Sequence, residues 1–134
     1  MNSKILSKAL AAIAGSMLLL SAMTASAIEF KAYTPEAFAA AQADGGPIVI
    51  DVHATWCPTC RAQRRVMDQL AEDPLYDNVV VFVIDYDSEK AYMRMHWVSQ
   101  RSTLISFNGS EEVGRLHNDT SFSVIEALFL SIVE

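Results

Sequence analysis

Cys57-Pro58-Thr59-Cys60 is the segment of this chain best equipped to do chemistry. Two cysteines three apart sit one helical turn from each other, so their sulfurs can close a disulfide with little backbone movement. The flanking residues supply the helix. Ile48-Val49-Ile50-Asp51-Val52-His53 reads as a buried strand, Ala54-Thr55-Trp56 as a loop, and Cys57 as the residue at the start of a helix. Unpaired N–H groups and the positive end of the helix dipole favour a thiolate there. Cys57 is therefore the expected nucleophile, and Cys60, one turn along and more covered, the resolving thiol. Pro58 near the first helical position loses no needed hydrogen bond and stiffens the turn. The expected reaction is thiol–disulfide exchange: Cys57 attacks a partner's disulfide, a mixed disulfide forms, and Cys60 displaces the reduced partner.

Other uses of the pair find less support in the sequence. Half of a zinc site needs two more ligands, and His53, His96 and His117 are scattered without metal spacing. A purely structural disulfide would close too short a loop to stabilise much. Met93, Met95 and His96 offer soft ligands for Cu(I). However, Met93 and Met95 are two apart on an expected helix and point to different sides. The expectation is no metal, and no cofactor beyond a redox-active Cys57–Cys60 disulfide.

The rest of the composition bounds the setting. A chain of 134 residues, 51% hydrophobic and 19% charged, can bury one core. Its formal net charge of −6, with no basic stripe, excludes the usual nucleic-acid binder. Lys4 and Lys8 precede an uncharged stretch, Ala9 to Ile28, that contains Met17-Leu18-Leu19-Leu20 and the small-residue site Ala25-Ser26-Ala27. That pattern reads as a cleavable signal peptide over 1–27, ahead of a domain over 28–134, and places the mature form in the periplasm or outside the cell as a soluble protein. The alternative is a retained membrane anchor, since the stretch is just long enough to span a bilayer.

The elements that must position the cysteines follow from periodicity and capping. A short strand is expected over Phe30–Tyr33, and a helix capped by Thr34 runs to about Ala43, where Asp44-Gly45-Gly46-Pro47 stops it. The cysteine helix continues to about Ala71. A second buried strand covers Val79–Ile84, and a helix capped by Ser88 runs from Glu89 to about Trp97. Strands Thr103–Phe107 and Glu112–Leu116 join through Asn108-Gly109-Ser110. The last helix, capped by Asp119 or Thr120, covers Phe122 to about Val133. The order β-α-β-α-β-α-β-β-α predicts an α/β fold: a mixed central sheet with helices on both faces.

Strand, Trp56-Cys57-x-x-Cys60, helix, and the later Thr103-Leu104-Ile105-x-Phe107-x-Gly109 hairpin resemble the thioredoxin family over nearly the whole mature chain. Among its branches the chain is most similar to exported members, including the C-terminal domain of the reductant-transfer protein DsbD. The resemblance implies a thioredoxin fold and a dithiol oxidoreductase. It makes Asp51, six before Cys57, a buried acid that moves the proton of Cys60, and a buried carboxyl has a raised pKa suited to a general base. It makes Trp56 part of the docking surface, together with Pro58, Thr59 and the loop Arg101-Ser102-Thr103.

Three departures stand out. Ser102 occupies the position of the family's cis-proline, so a trans bond is expected, since a cis bond before a non-proline costs about 2.5–4 kcal/mol. His53 stands where an aromatic residue is frequent. Val81 stands where a lysine often partners the buried acid. Function is expected to be that of an exported reductase of protein disulfides, recharged by a membrane electron carrier of the DsbD or CcdA kind. The alternatives are a metal-handling module, holding copper or an iron–sulfur cluster on Cys57 and Cys60, a redox sensor, and a dithiol oxidase or isomerase.

Overall fold

Runs of β-branched and aromatic residues build a five-stranded sheet in the computed structural model, which describes residues 27–134. The expected leader over 1–27 therefore lies outside the described residues, apart from Ala27. The elements are β1 (Glu29–Ala32), α1 (Pro35–Asp44), β2 (Pro47–His53), α2 (Pro58–Leu70), β3 (Val80–Asp85), α3 (Lys90–Met95), β4 (Thr103–Asn108), β5 (Glu111–His117) and α4 (Phe122–Leu130). A single 3-10 turn, Pro74–Tyr76, follows α2. The sheet order is β1-β3-β2-β4-β5, with β1, β3 and β2 parallel and β4 and β5 antiparallel to their neighbours. This is the mixed α/β architecture expected from the order of elements.

Strand β2 is central, and its alternation sorts the core. Ile48, Ile50 and Val52 face α1 and α3, among Phe38, Phe82, Tyr92, Met93 and Phe107. Val49 faces α2 and α4, among Val66, Met67, Leu70, Ile125 and Phe129. Because side chains alternate along a strand, Asp51 shares the face of Val49 and lies under α2. Helix α2 buries Cys60, Gln63, Val66, Met67 and Leu70, one stripe at helical spacing. Phe38 is the one buried residue of α1, and its ring meets those of Tyr33, Phe82, Tyr92 and Phe107.

Four helix ends differ from expectation, each for a local reason. Helix α3 stops at Met95 because Trp97 takes a left-handed φ of 54° and Val98 N–H bonds back to Met93 O, which closes the helix end. Ser88 is not its cap: Asp85 Oδ1 accepts from the N–H groups of Asp87 and Ser88, so a side-chain turn precedes the helix. At α4 the N-cap is Ser121, whose N–H bonds to Asp119 Oδ1. The helix ends at Leu130, and Ile132 and Val133 continue in tighter turns, donating to Phe129 and Leu130.

Phe38→Ala would open a void among four aromatic rings. The expected loss is about 3–5 kcal/mol of stability, read from urea unfolding midpoints.

A candidate dithiol site at the start of helix α2

The chain leaves β2 at His53, crosses Ala54-Thr55-Trp56, and enters α2 with Cys57 as N-cap. Cys57 caps the helix through its sulfur: the Cys60 N–H donates to Cys57 Sγ at 3.2 Å. A negative sulfur there is held by an otherwise unpaired helix N–H. Pro58 follows at the first helical position, where its missing N–H costs nothing. Both cysteines are free and buried. Cys57 is as fully covered as Cys60, at 0% exposure, against the expectation that Cys60 is the more covered. Its chain neighbours Thr55, Trp56 and Pro58 are all exposed, so its sulfur lies one side chain below the surface.

The loop before β4 closes over the pair. Ser102 is fully buried with φ of 57°, and its hydroxyl lies 3.2 Å from Cys57 Sγ and 3.2 Å from Cys60 Sγ. No cis peptide bond occurs among the described residues. Three hydrogen bonds pin this residue: its N–H donates to Val52 O at 2.8 Å, and its carbonyl accepts from Gln63 Nε2 at 3.1 Å and Asn118 N–H at 2.9 Å. Arg101 stacks over the Trp56 ring, 4.8 Å from its centroid. Trp56 is 53% exposed and its Nε1 donates to Asp87 Oδ2.

Electrostatics then separates the two thiols. Burial works against a charged Cys57, but hydrogen bonding with the Cys60 thiol, the Ser102 hydroxyl, the Cys60 N–H and Arg101 outweighs it and lowers the pKa to about 7. Burial raises the pKa of Cys60, as does its neighbour Cys57. Asp51 is 0% exposed, and neither carboxylate oxygen has a protein hydrogen-bond partner. Burial raises its pKa to about 7, with Arg64 opposing and Cys57 reinforcing the rise. His53 Nδ1 is 3.7 Å from Asp51 Oδ2, and burial, joined by Arg64, lowers the histidine's pKa.

The structure thus gathers Cys57, Cys60, Asp51 and Ser102 around the start of α2, with Trp56 and Pro58 toward solvent and Thr59 and Arg101 half-buried. Two residues expected at the docking surface turn inward instead. Ser102 spends its hydroxyl on the sulfurs. Thr103 is 5% exposed, and its hydroxyl donates to Gln100 O and meets His117 Nδ1 at 3.1 Å. The Met93–Met95–His96 group disperses: Met93 is buried, Met95 is 62% exposed, and His96 stacks on Tyr92. Among the described residues, no cluster of three or more His, Cys, Asp or Glu side chains is placed to hold a metal ion.

Sequence reasoning missed two contributors. Gln63 is a buried polar residue that ties α2 to Ser102 and to Asp119 O. Its signal was a polar residue three after Cys60 on the apolar stripe. Arg64 provides the positive field on Asp51 that the missing lysine at Val81 would have supplied. Only the wrap of α2 over β2 brings it there.

Comparison with known proteins gives consistent results. The Thioredoxin family model matches residues 29–129. The chain is 36% identical over 70 residues to the thiol:disulfide interchange protein DsbE of Haemophilus influenzae, covering 52% of this chain and 34% of that protein. For DsbE of Escherichia coli the identity is 33% over 70 residues, covering 52% and 37%. The chain thus spans about a third of the length of these curated relatives. The crystal structure of Trxlp from Edwardsiella tarda superposes with a TM-score of 0.71 at 38% identity, covering 75% of this chain and 98% of that one. A thioredoxin from Halobacterium salinarum, at 24% identity and a TM-score of 0.68, shares the fold.

Alkylation of the reduced protein by iodoacetamide should rise with a midpoint at pH about 7 and label Cys57, leaving Cys60 unlabelled there. Asp51 gives a second pH signature. A carboxyl whose folded pKa is raised binds an extra proton in the folded state between its unfolded and folded values. Stability therefore falls as pH climbs from 3.8 through about 7. The penalty is absent below that window and reaches about 4 kcal/mol above it, from a rise of about three pKa units. Asp51→Asn should abolish this fall, as checked by denaturant unfolding at several pH values.

Proposed function

The chain belongs to the thioredoxin family of CxxC thiol–disulfide oxidoreductases, and from that premise we propose that it is an exported reductase of protein disulfides with Cys57 and Cys60 as its redox couple. The observation that carries this reading is the unequal pair: one sulfur favoured as thiolate at a helix start and a second that keeps its proton one turn away. Cys57 attacks one sulfur of the partner's disulfide, and the other sulfur leaves and takes up a proton. Cys60 then attacks Cys57 Sγ, loses its proton to Asp51, and releases the second partner sulfur. Two electrons pass to the partner, and Cys57–Cys60 becomes the disulfide.

The direction rests on how far Cys57 is shifted. A pKa of about 7 matches a mild, reducing dithiol, whereas a strongly oxidising one lies at roughly 3.5. Export rests on the leader pattern over 1–27, and cleavage there would free the domain that begins at residue 28. Outside the cytoplasm a reductase must be recharged, and a membrane electron carrier of the DsbD or CcdA kind fits that need. Trp56 and Pro58, exposed on either side of the covered Cys57 in the chain, form with half-buried Arg101 over the Trp56 ring the face that would meet the partner.

The protein lacking residues 1–27 should reduce insulin disulfides, and Cys57→Ser should fall to the uncatalysed rate. Equal rates for the two proteins would remove the dithiol mechanism. Cys60→Ala should accumulate a mixed disulfide with its natural partners. A couple more oxidising than glutathione would make the protein a disulfide donor, and stoichiometric copper or iron on the two cysteines would make it a metal handler.

A further inference from the structure

Ser102 holds a costly conformation that delivers its side chain to the two sulfurs. A non-glycine residue with φ of 57° is strained, and such residues persist where surrounding contacts over-determine them. Here three backbone hydrogen bonds fix the residue, and its side chain is delivered between two sulfurs at equal distances of 3.2 Å. A hydroxyl has one proton to give and lone pairs to accept with. Set between two sulfurs, it can donate to only one of them while its lone pairs face the other, and the Cys60 S–H also has Val52 O at 3.9 Å as an acceptor. Two thiolates would compete for one proton, and two thiols would leave the Cys60 N–H and the Ser102 hydroxyl facing a weak acceptor.

We propose that the Ser102 hydroxyl is a catalytic proton bridge that serves the two sulfurs in turn, donating first to Cys57 as it attacks and then to Cys60 as it resolves. This rests on the dithiol-exchange reading above. In the reduced protein the Ser102 O–H donates to the Cys57 thiolate, which also accepts the Cys60 N–H, and the Cys60 S–H is shared among Ser102 Oγ, Val52 O and Cys57. When Cys57 bonds to a partner sulfur its charge is gone, and the hydroxyl is free to turn. It then donates to Cys60 Sγ while the Cys60 proton passes to Asp51. The Cys60–Cys57 bond forms, the Cys57–partner bond breaks, and the partner leaves with the electron pair. The other charged or titratable groups around the pair are Asp51 and His53 on β2, Arg61 and Arg64 on α2, and Arg101 on the loop. None of them is placed at hydrogen-bond distance from both sulfurs.

Ser102→Gly is the suitable variant, because glycine adopts this φ without strain and removes the hydroxyl together with the one carbon that carries it. Two measurements on the protein lacking residues 1–27 test the bridge. The first is the pH midpoint of Cys57 alkylation, expected to rise by about one unit, the tenfold weaker acidity that follows from losing a hydrogen bond to a charged group. The second is single-turnover reaction with an aromatic disulfide that releases one coloured thiol on Cys57 attack and a second on Cys60 resolution. At pH 7 the first release is expected to slow about fivefold, as the thiolate fraction falls, and the second about tenfold. An unmoved midpoint, or a second release at the wild-type rate, overturns the proposal and leaves the dithiol reading standing. Absence of a second release in the wild-type protein would instead overturn the dithiol reading. An S–H infrared band of Cys60 at the frequency of a free thiol in the reduced wild-type protein would also overturn the bridge, without recourse to any variant.

Discussion

The Ser102 N–H to Val52 O hydrogen bond, 2.8 Å long, is the contact on which the site depends. It staples the loop before β4 to the end of β2, the strand that carries Asp51 and leads into the cysteines. With Gln63 reaching from α2 and Asn118 from the end of β5, it makes one buried residue the meeting point of three elements. The sulfurs are then not merely adjacent along one helical turn. They are held against a hydroxyl from a segment more than forty residues away in the chain. A proline at this position has no N–H and cannot adopt a positive φ. The departure from the family's residue therefore changes the backbone and the chemistry together.

Function here is set against stability. Asp51 is enclosed with no protein hydrogen bond to either oxygen, a cost that grows as it ionises. The nearest basic group, His53 at 3.7 Å, is itself held toward neutrality by burial, so the pair offsets little of that cost. Arg101 also has a buried Nε without a protein partner. These unpaired groups lie beside the dithiol, while the central strands β2, β3 and β4 pack apolar side chains into a core on each face of the sheet. A buried acid that titrates near neutral pH, next to a thiol that does the same, suits proton transfer and is poorly suited to stability.

Much of the fold was legible because its signals are local. The short β-branched runs, the Thr34-Pro35 start, the Gly45-Gly46-Pro47 stop and the Asn108-Gly109 turn each act within a few residues, and the corresponding elements formed. Legibility failed at the ends of α3, where short-range turns that periodicity does not register decided the boundaries. Helix α3 was cut short by a left-handed tryptophan, and Ser88 lost its capping role to a turn built on Asp85. At the site, Asp51 and Trp56 stood at readable distances from Cys57. Arg64 and Asn118 did not announce themselves, since each acts on an element remote in sequence, and Gln63 showed only as a polar residue on the apolar stripe of α2.

The sequence by itself determined that two sulfurs would sit one turn apart at a helix start, after a strand bearing a buried acid, because strand alternation and helix capping are local rules. Only the tertiary structure decided that both sulfurs would be covered, that Arg64 would replace an absent lysine, and that Thr103 would face inward. It alone showed that Ser102 would bridge the pair. These follow from strand pairing and from the wrap of α2 over β2, which place side chains tens of residues apart within hydrogen-bond distance, and no local pattern in the chain encodes such a distance.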